Sequence, residues 1–117
     1  MGSFTFQKEE RTVKRADFIN LNLHGKRYYT KNFLVILKKN KGDITRLGIN
    51  VSKRVGRSVK RNRIKRAIRE FFRYNKEQIP KGYDILVVAL NEADKYPSSK
   101  VQEELGYLIL KNDDLFS

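Results

Sequence analysis

The sequence predicts an α+β domain with the element order α-β-β-α-β-α, and three features lead to this prediction. Runs rich in apolar and β-branched residues are typical of strands, and they occupy positions 33–39, 45–52 and 83–90. Apolar residues at helical spacing lie before, between and after these runs. The chain has 117 residues, 39% of them hydrophobic, which is enough for one core. We therefore predict a single domain over residues 1–117, with 1–12 as an N-terminal extension and helices packed on a small sheet.

The first half of the chain is predicted to hold one helix and a hairpin. The helix lies in RADFINLNLHGK, where Gly25 occupies the place of a left-handed C-cap residue. The apolar run 33–39 is the first strand, and turn-forming residues follow it at 40–43. The segment 45–52 is then the partner strand of this hairpin.

The second half is predicted to hold two helices on either side of a buried strand. Ser58 is a plausible N-cap for a helix that ends near Tyr74. The continuous apolar run 83–90 is suited to a buried strand. Ser98 or Ser99 caps the last helix, whose apolar side carries Val101, Leu105, Leu108 and Ile109.

Net charge restricts the class of partner. The chain has 26 Lys and Arg against 13 Asp and Glu, a formal charge of +13, far more than a small domain needs for solubility. This excess favours a polyanionic partner, and nucleic acid is favoured over a membrane surface. The sequence has no cysteine, which excludes disulfides and thiolate metal sites. We find neither a membrane-spanning run nor the apolar centre of a signal peptide, so cytoplasm is the default location.

The segment SVKRNRIKRAIREFFR separates into two faces when it is projected as a helix. The apolar arc is predicted to lie on the sheet and contains Ile64, Ala67, Ile68, Phe71 and Phe72. The other side is a ladder of cations at i, i+4 spacing, formed by Arg61, Lys65, Arg69 and Arg73. Asn62 and Arg66 stand beside this ladder, Arg63 lies on the flank, and Lys60 belongs to the first turn.

Three interpretations of this basic face compete. A solvated helix face normally mixes charge signs, because like charges at i, i+4 repel by a few tenths of a kcal/mol per pair. A nuclear-localisation tract needs a flexible segment, whereas the regular apolar arc predicts a folded helix. A phosphate-binding face explains both the ladder and the basic loop before it, and the positive end of the helix would add to its attraction for anions. Composition does not distinguish RNA from DNA, although no helix-turn-helix pair precedes this helix.

The sequence offers little for catalysis by the protein itself. His24 is the only histidine, and its place at a predicted helix end favours a structural role over general-base chemistry. The paired acids Glu9-Glu10, Glu103-Glu104 and Asp113-Asp114 are neighbours only along the chain, whereas metal-dependent nucleases need clustered carboxylates. We therefore predict no catalytic residue, no metal site and no cofactor bound by the protein, and we disfavour an autonomous nuclease.

The stretch VSKRVGRSVKRNRIKRAIREFF resembles the signature of the bacterial ribonuclease P protein family. The matching parts are SKRVG at the end of a strand, then RNR, KR and RE along the helix. The resemblance continues in RADF, RLGINVS and KGYDILVVA, so it covers about 100 residues. A structural module such as a ribosomal protein fits the composition equally well, but this register favours the ribonuclease P family.

The resemblance implies a fold and a function that composition does not show. The implied fold is an α/β sandwich related to a ribosomal-protein domain, with a left-handed βαβ crossover through the basic helix. The implied function is to assist a catalytic RNA that uses RNA-bound Mg²⁺ to remove the 5′ leader of precursor tRNA. The implied partners are ribonuclease P RNA and precursor tRNA, and neither DNA nor a membrane is expected. The implied RNA-binding residues are Lys53, Arg54, Arg57, Lys60, Arg61, Asn62, Arg63, Lys65, Arg66 and Arg69.

The resemblance also implies a cleft between the sheet and the first helix that holds the leader. Phe18 matches one of the family's aromatic cleft residues, and it also fits the role of a hydrophobic anchor for the helix. Phe33 lies on the neighbouring strand, while Asn22 and Ile36 stand where the family often has aromatics. Tyr28 and Tyr29 precede the strand and could stack on RNA or rim the sheet; we favour core or surface packing for both.

Overall fold

The computed structural model describes residues 15–111, 115 and 116, with side chains from residue 19 onward. The elements in these ranges are, in chain order, α1 (Arg15–His24), β1 (Lys26–Tyr29), β2 (Phe33–Lys39), β3 (Arg46–Asn50), α2 (Ser58–Tyr74), β4 (Tyr83–Ala89) and α3 (Ser98–Leu105). α3 continues into a wider, π-helical turn at Gly106–Leu110. The α+β class is confirmed. The predicted extension over residues 1–12 lies outside the described residues.

The four strands form one sheet in the order β1-β2-β4-β3. β2 is antiparallel to both β1 and β4, whereas β3 is parallel to β4. The chain leaves β3, runs through α2 and returns in β4, so the basic helix is the crossover between two neighbouring parallel strands.

The predicted hairpin between β2 and β3 is wrong, because β4 lies between these strands. The turn chemistry after β2 is nevertheless present: the Asn40 side chain accepts from the Gly42 N–H at 2.8 Å and donates to the Ile44 carbonyl at 3.0 Å. β4 is the most apolar run, and Ile85, Leu86 and Val87 are buried on both faces of the sheet. A strand that is apolar on both faces buries the most apolar surface at the centre of a sheet. β4 therefore lies between β2 and β3, and β3 is at the edge.

β1 was not predicted from the sequence. Its four residues, KRYY, are mostly exposed, and the strand pairs only with β2 at the edge of the sheet. Short, charged strands are common at sheet edges, where they discourage pairing with another chain. Because β1 has few apolar residues, its composition does not predict a strand, and only its pairing with β2 identifies it as one.

The two faces of the sheet carry separate apolar clusters. On β2, Phe33, Val35 and Leu37 point into the larger cluster beneath α2 and α3, while Leu34 and Ile36 point toward α1. The larger cluster takes in the whole predicted apolar arc of α2, and Ile64, Ala67, Ile68, Phe71 and Phe72 are all buried. The predicted apolar side of the last helix is confirmed as well, since Val101, Leu105, Leu108 and Ile109 are buried.

Gly25 follows the last residue of α1, but it does not form the left-handed cap that the sequence predicted. Its φ is not positive, and its N–H donates to the Leu21 carbonyl at 2.8 Å, as in a helix. Close packing requires glycine instead. A Cβ at this position would lie 2.5 Å from Ile36 Cγ2 and 2.7 Å from the Leu21 carbonyl oxygen. Gly25 thus lets α1 approach β2 closely.

Candidate nucleic-acid interface

The segment after β3 presents three cations to solvent. Lys53 and Arg54 are exposed on a single 3-10 turn, which is fixed to the core by the buried Val55. Gly56 then adopts φ 151°, a backbone conformation that side-chain-bearing residues rarely take. This glycine redirects the chain into α2 and leaves Arg57 exposed. We name Lys53, Arg54 and Arg57 the basic loop.

α2 begins at Ser58, and the N-cap residue is Arg57, so the prediction that Ser58 caps the helix is wrong by one position. The Ser58 hydroxyl instead accepts a hydrogen bond from Arg61 Nη2 at 3.1 Å. Arg61 Nε also donates to the Gly56 carbonyl at 3.1 Å. Arg61 therefore joins the basic loop to the first turn of α2 and holds the two cationic segments in one arrangement.

The solvent side of α2 carries the predicted cations. Asn62, Arg66 and Arg69 are exposed, while Arg61, Lys65 and Arg73 are half-buried. Glu70 is the only acid in the helix, and it pairs with Arg73 at 3.8 Å near the C-terminal end. The charge of the middle of α2 is therefore not balanced within the helix. We name this surface, together with the basic loop, the basic face.

Lys60 lies on the flank of α2 and forms an intramolecular ion pair at the surface. Its Nζ is 2.6 Å from Asp94 Oδ2, in the loop between β4 and α3. The side chains are 43% and 66% exposed, and an ion pair this open to solvent contributes little to stability. Lys60 can exchange this carboxylate for a phosphate at small cost.

Arg63 is held inside the protein more firmly than the other basic residues of α2. Its Nη2 donates to the Ala93 carbonyl at 2.7 Å and to the Tyr96 carbonyl at 3.3 Å. Its Nη1 donates to the Ser98 hydroxyl at 3.1 Å. The guanidinium thus fastens α2 to the loop that precedes α3. These contacts favour a positioning role for Arg63, and the direct RNA contact that the family resemblance implies for it stays a prediction.

We expect Arg63→Ala to lower the free energy of unfolding by about 1–3 kcal/mol, because it leaves the two loop carbonyls and Ser98 without their charged donor. Arg66→Ala is the matched control, since Arg66 is exposed, and we expect it to change stability by no more than about 0.5 kcal/mol. Urea unfolding measures both variants. Equal stability of the two variants would contradict the positioning role of Arg63.

The loop that Arg63 fastens is packed through Tyr96. The Tyr96 ring meets Phe33 edge to face, with 5.6 Å between ring centroids. Burial, assisted by the Glu104 carboxylate and opposed by Arg63, raises the pKa of Tyr96 to about 12. The phenol therefore stays protonated near neutral pH, and Tyr96 itself adds no negative charge beside the basic face.

Among the four residues predicted to line a cleft next to α1, the three with described side chains do not lie together. The prediction for Phe33 is wrong: its side chain is fully buried on the opposite face of the sheet, against Tyr96. Ile36 does face α1, but it is fully buried beneath that helix. Asn22 is exposed on α1, and the side chain of Phe18 lies outside the described residues.

β1 brings two residues to the α1 face that the sequence did not assign to it. Arg27 and Tyr29 pair with Ile36 and Leu34, so they share that face of the sheet. Arg27 Nη2 donates to the Asn22 carbonyl at 2.9 Å, and the Tyr29 ring is 64% exposed. Tyr28 points the other way and packs against the larger cluster. The two tyrosines face opposite sides of the sheet because side chains alternate along β1. The sequence could not predict this difference without first predicting the strand.

No group of three or more His, Asp or Glu side chains among the described residues is placed to hold a metal ion. Within the same ranges, no helix is long and apolar enough to cross a bilayer. His24 is exposed at the end of α1.

Comparisons with known proteins agree with this geometry. The family model for Ribonuclease P matches residues 6–113. A ribonuclease P protein component from Syntrophus aciditrophicus is 42% identical over 111 residues, covering 95% of this chain and 93% of that protein. The structure of the Staphylococcus aureus RNase P protein superposes with a TM-score of 0.83 at 39% identity, covering 94% of this chain and all of that one. The Thermotoga maritima RNase P protein gives a TM-score of 0.78 at 37% identity, covering 89% and 98% of the two chains.

Proposed function

This chain belongs to the bacterial ribonuclease P protein family, and from that premise we propose that its basic face binds the catalytic RNA of ribonuclease P. The same proposal assigns the leader of precursor tRNA to the side of the sheet that carries α1. The holoenzyme would remove the 5′ leader from precursor tRNA, with Mg²⁺ held by the RNA. The protein supplies binding and orientation, and the RNA subunit carries out the hydrolysis.

The observation that carries this proposal is the uncompensated charge of the basic face. Repulsion along the i, i+4 ladder opposes folding of α2, and only Glu70 within the helix relieves it. Phosphates that neutralise these side chains release condensed counterions from the RNA, which drives binding. The residues we propose for direct contact are Lys53, Arg54, Arg57, Lys60, Arg61, Asn62, Lys65, Arg66 and Arg69.

The α1 side supports the leader proposal through its exposed polar and aromatic groups. Arg27 offers a cation and Tyr29 an exposed ring on that face, and the Arg27 side chain is oriented by the Asn22 carbonyl. A stacking ring beside a cation is the arrangement that single-stranded RNA favours. The leader would therefore contact Asn22, Arg27 and Tyr29 in addition to Phe18, while Ile36 supports α1 from below.

Reconstitution tests the proposed function directly. Purified protein is mixed with a ribonuclease P RNA and 5′-labelled precursor tRNA at low Mg²⁺, where RNA alone cleaves poorly. We expect the protein to restore release of the leader and to produce no cleavage without the RNA. Unchanged cleavage on adding protein would refute the proposal, and cleavage by protein alone would identify an autonomous nuclease instead.

Phe18→Ala should weaken binding of precursor tRNA by about fivefold or more, because stacking on one base contributes about 1–3 kcal/mol. Mature tRNA lacks the leader, so its affinity for the reconstituted holoenzyme should be nearly unchanged. Phe18→Leu is the control that keeps an apolar anchor on α1 without an aromatic ring, and it should show the same selective loss. Equal losses for precursor and mature tRNA would mean that Phe18 only anchors the helix.

A further inference from the structure

A second cationic site lies at the end of the sheet away from the basic loop. It is a pocket of about 340 Å³, a size suited to small ligands, and its lining residues are His24, Lys26, Leu37, Lys38, Lys39, Tyr83, Leu115 and Phe116. β4 begins at this end, whereas β3 ends at the opposite end, where the basic loop follows. The proposed function does not use this pocket.

Strand register places two of the lysines on one face. Lys26 of β1 is paired with Leu37, and Lys39, two residues further along β2, is paired with Tyr83 of β4. Because side chains alternate along a strand, Lys26, Lys39 and Tyr83 project to the same side of the sheet as Leu37. His24 and Lys38 add to the lining, and no acid stands among the described residues that form it.

The C-terminal segment closes the pocket with an aromatic wall. Leu115 is fully buried, and the half-buried Phe116 meets Tyr83 edge to face with 5.0 Å between ring centroids. The Tyr83 hydroxyl also donates to the Phe116 carbonyl at 3.0 Å. These contacts fix the Phe116 ring in the lining of a pocket that also contains three lysines.

We propose that this pocket binds one nucleotide of single-stranded RNA, with the base against Phe116 and a phosphate between Lys26 and Lys39. Cations beside an aromatic ring offer both parts of a nucleotide a partner, since the base stacks and the phosphate is neutralised. The volume of about 340 Å³ is of the size of a small-ligand site, which suits one nucleotide better than a folded helix. This inference rests on the proposed function only in taking RNA as the ligand, and it adds a contact at the far end of the sheet.

NMR titration with a 5′-phosphorylated adenosine dinucleotide tests the site, using the full-length protein. We expect saturable shifts of the amides of Lys39, Tyr83 and Phe116. Phe116→Leu retains the apolar volume and should weaken binding about fivefold or more through lost stacking. Lys26→Ala with Lys39→Ala should weaken it roughly tenfold and flatten the salt dependence by up to about 0.7 log units, because the two lysines share one phosphate. Lys31→Ala with Lys81→Ala removes the same charge outside the pocket and should change binding by less than about twofold.

Two outcomes would overturn the inference. One is an equal loss of dinucleotide affinity in the Lys26, Lys39 double variant and in the Lys31, Lys81 double variant. That result would mean that only the net charge of the protein matters. The other is inorganic phosphate binding as tightly as the dinucleotide, which would leave an anion site without base stacking. A failure of the proposed function would give a different result. Ribonuclease P RNA would bind equally well after substitutions in α2, while the dinucleotide would still bind the pocket.

Discussion

Replacing Arg61, Lys65 and Arg69 together with alanine is expected to lower the affinity for ribonuclease P RNA roughly 100-fold near physiological salt. Each lost phosphate contact removes counterion release of about 0.7–0.9 log units per decade of salt. Three lost contacts should therefore flatten the slope of log K against log salt by up to about 2–3 units. Filter binding or fluorescence anisotropy over a series of salt concentrations measures both quantities.

The structure allows a matched control for this triple variant. Lys31, Lys41 and Lys81 are exposed and lie away from α2 in the chain, and changing all three to alanine removes the same net charge. We expect this control to alter the slope far less, because lysines that contact no phosphate release few counterions on binding. Thermal unfolding should show that the α2 variant still folds, since the repulsion along the ladder has been relieved. An unchanged salt slope in a folded α2 variant would rule out the basic face as the RNA-binding surface.

The α2 surface was predictable from the sequence because it depends on local periodicity. The apolar arc from Ile64 to Phe72 follows from the helical repeat alone, and all five of its predicted residues are buried. The strand at 33–39 was likewise predicted with the bounds that the structure has. Local chemistry, however, does not choose strand partners. Residues 40–43 form the expected turn, yet β4, more than 30 residues further along the chain, takes the place beside β2.

The same limit explains the errors at the predicted cleft. Whether Phe33 faces α1 or α2 depends on which side of β2 each helix covers, and periodicity along one strand does not specify that. Arg63 has the same chemistry as its neighbours on α2, and only the path of the β4–α3 loop makes its guanidinium an internal donor. A family resemblance assigns roles by position in the sequence, so it grouped Arg63 with the exposed cations of α2. The hydrogen bonds of Arg63 inside the protein distinguish it from them.

Asp84→Ala is expected to lower the free energy of unfolding by about 3 kcal/mol or more, the largest stability effect predicted for a single charged residue here. Asp84 is 7% exposed in a chain of net charge +13. Its Oδ1 accepts from Arg46 Nε at 2.8 Å and from Asn40 Nδ2 at 3.0 Å, and its Oδ2 accepts from Arg46 Nη2 at 2.5 Å. This carboxylate therefore ties the turn after β2 and the start of β3 to β4, and its loss removes a charged partner of the Arg46 guanidinium, whose side chain is 24% exposed.

Asp94→Ala provides the control, because Asp94 also forms a short ion pair with a cation, at 2.6 Å from Lys60 Nζ. The Asp94 side chain is 66% exposed against 10% for Asp84, so solvent replaces the lost contact and the expected cost is below about 1 kcal/mol. Urea unfolding of both variants compares the two pairs at similar distance and different burial. Similar losses would show that burial does not set the strength of these pairs. A large loss at Asp84 alone would show that the start of β3 is held against β4 by a buried acid within a strongly basic protein.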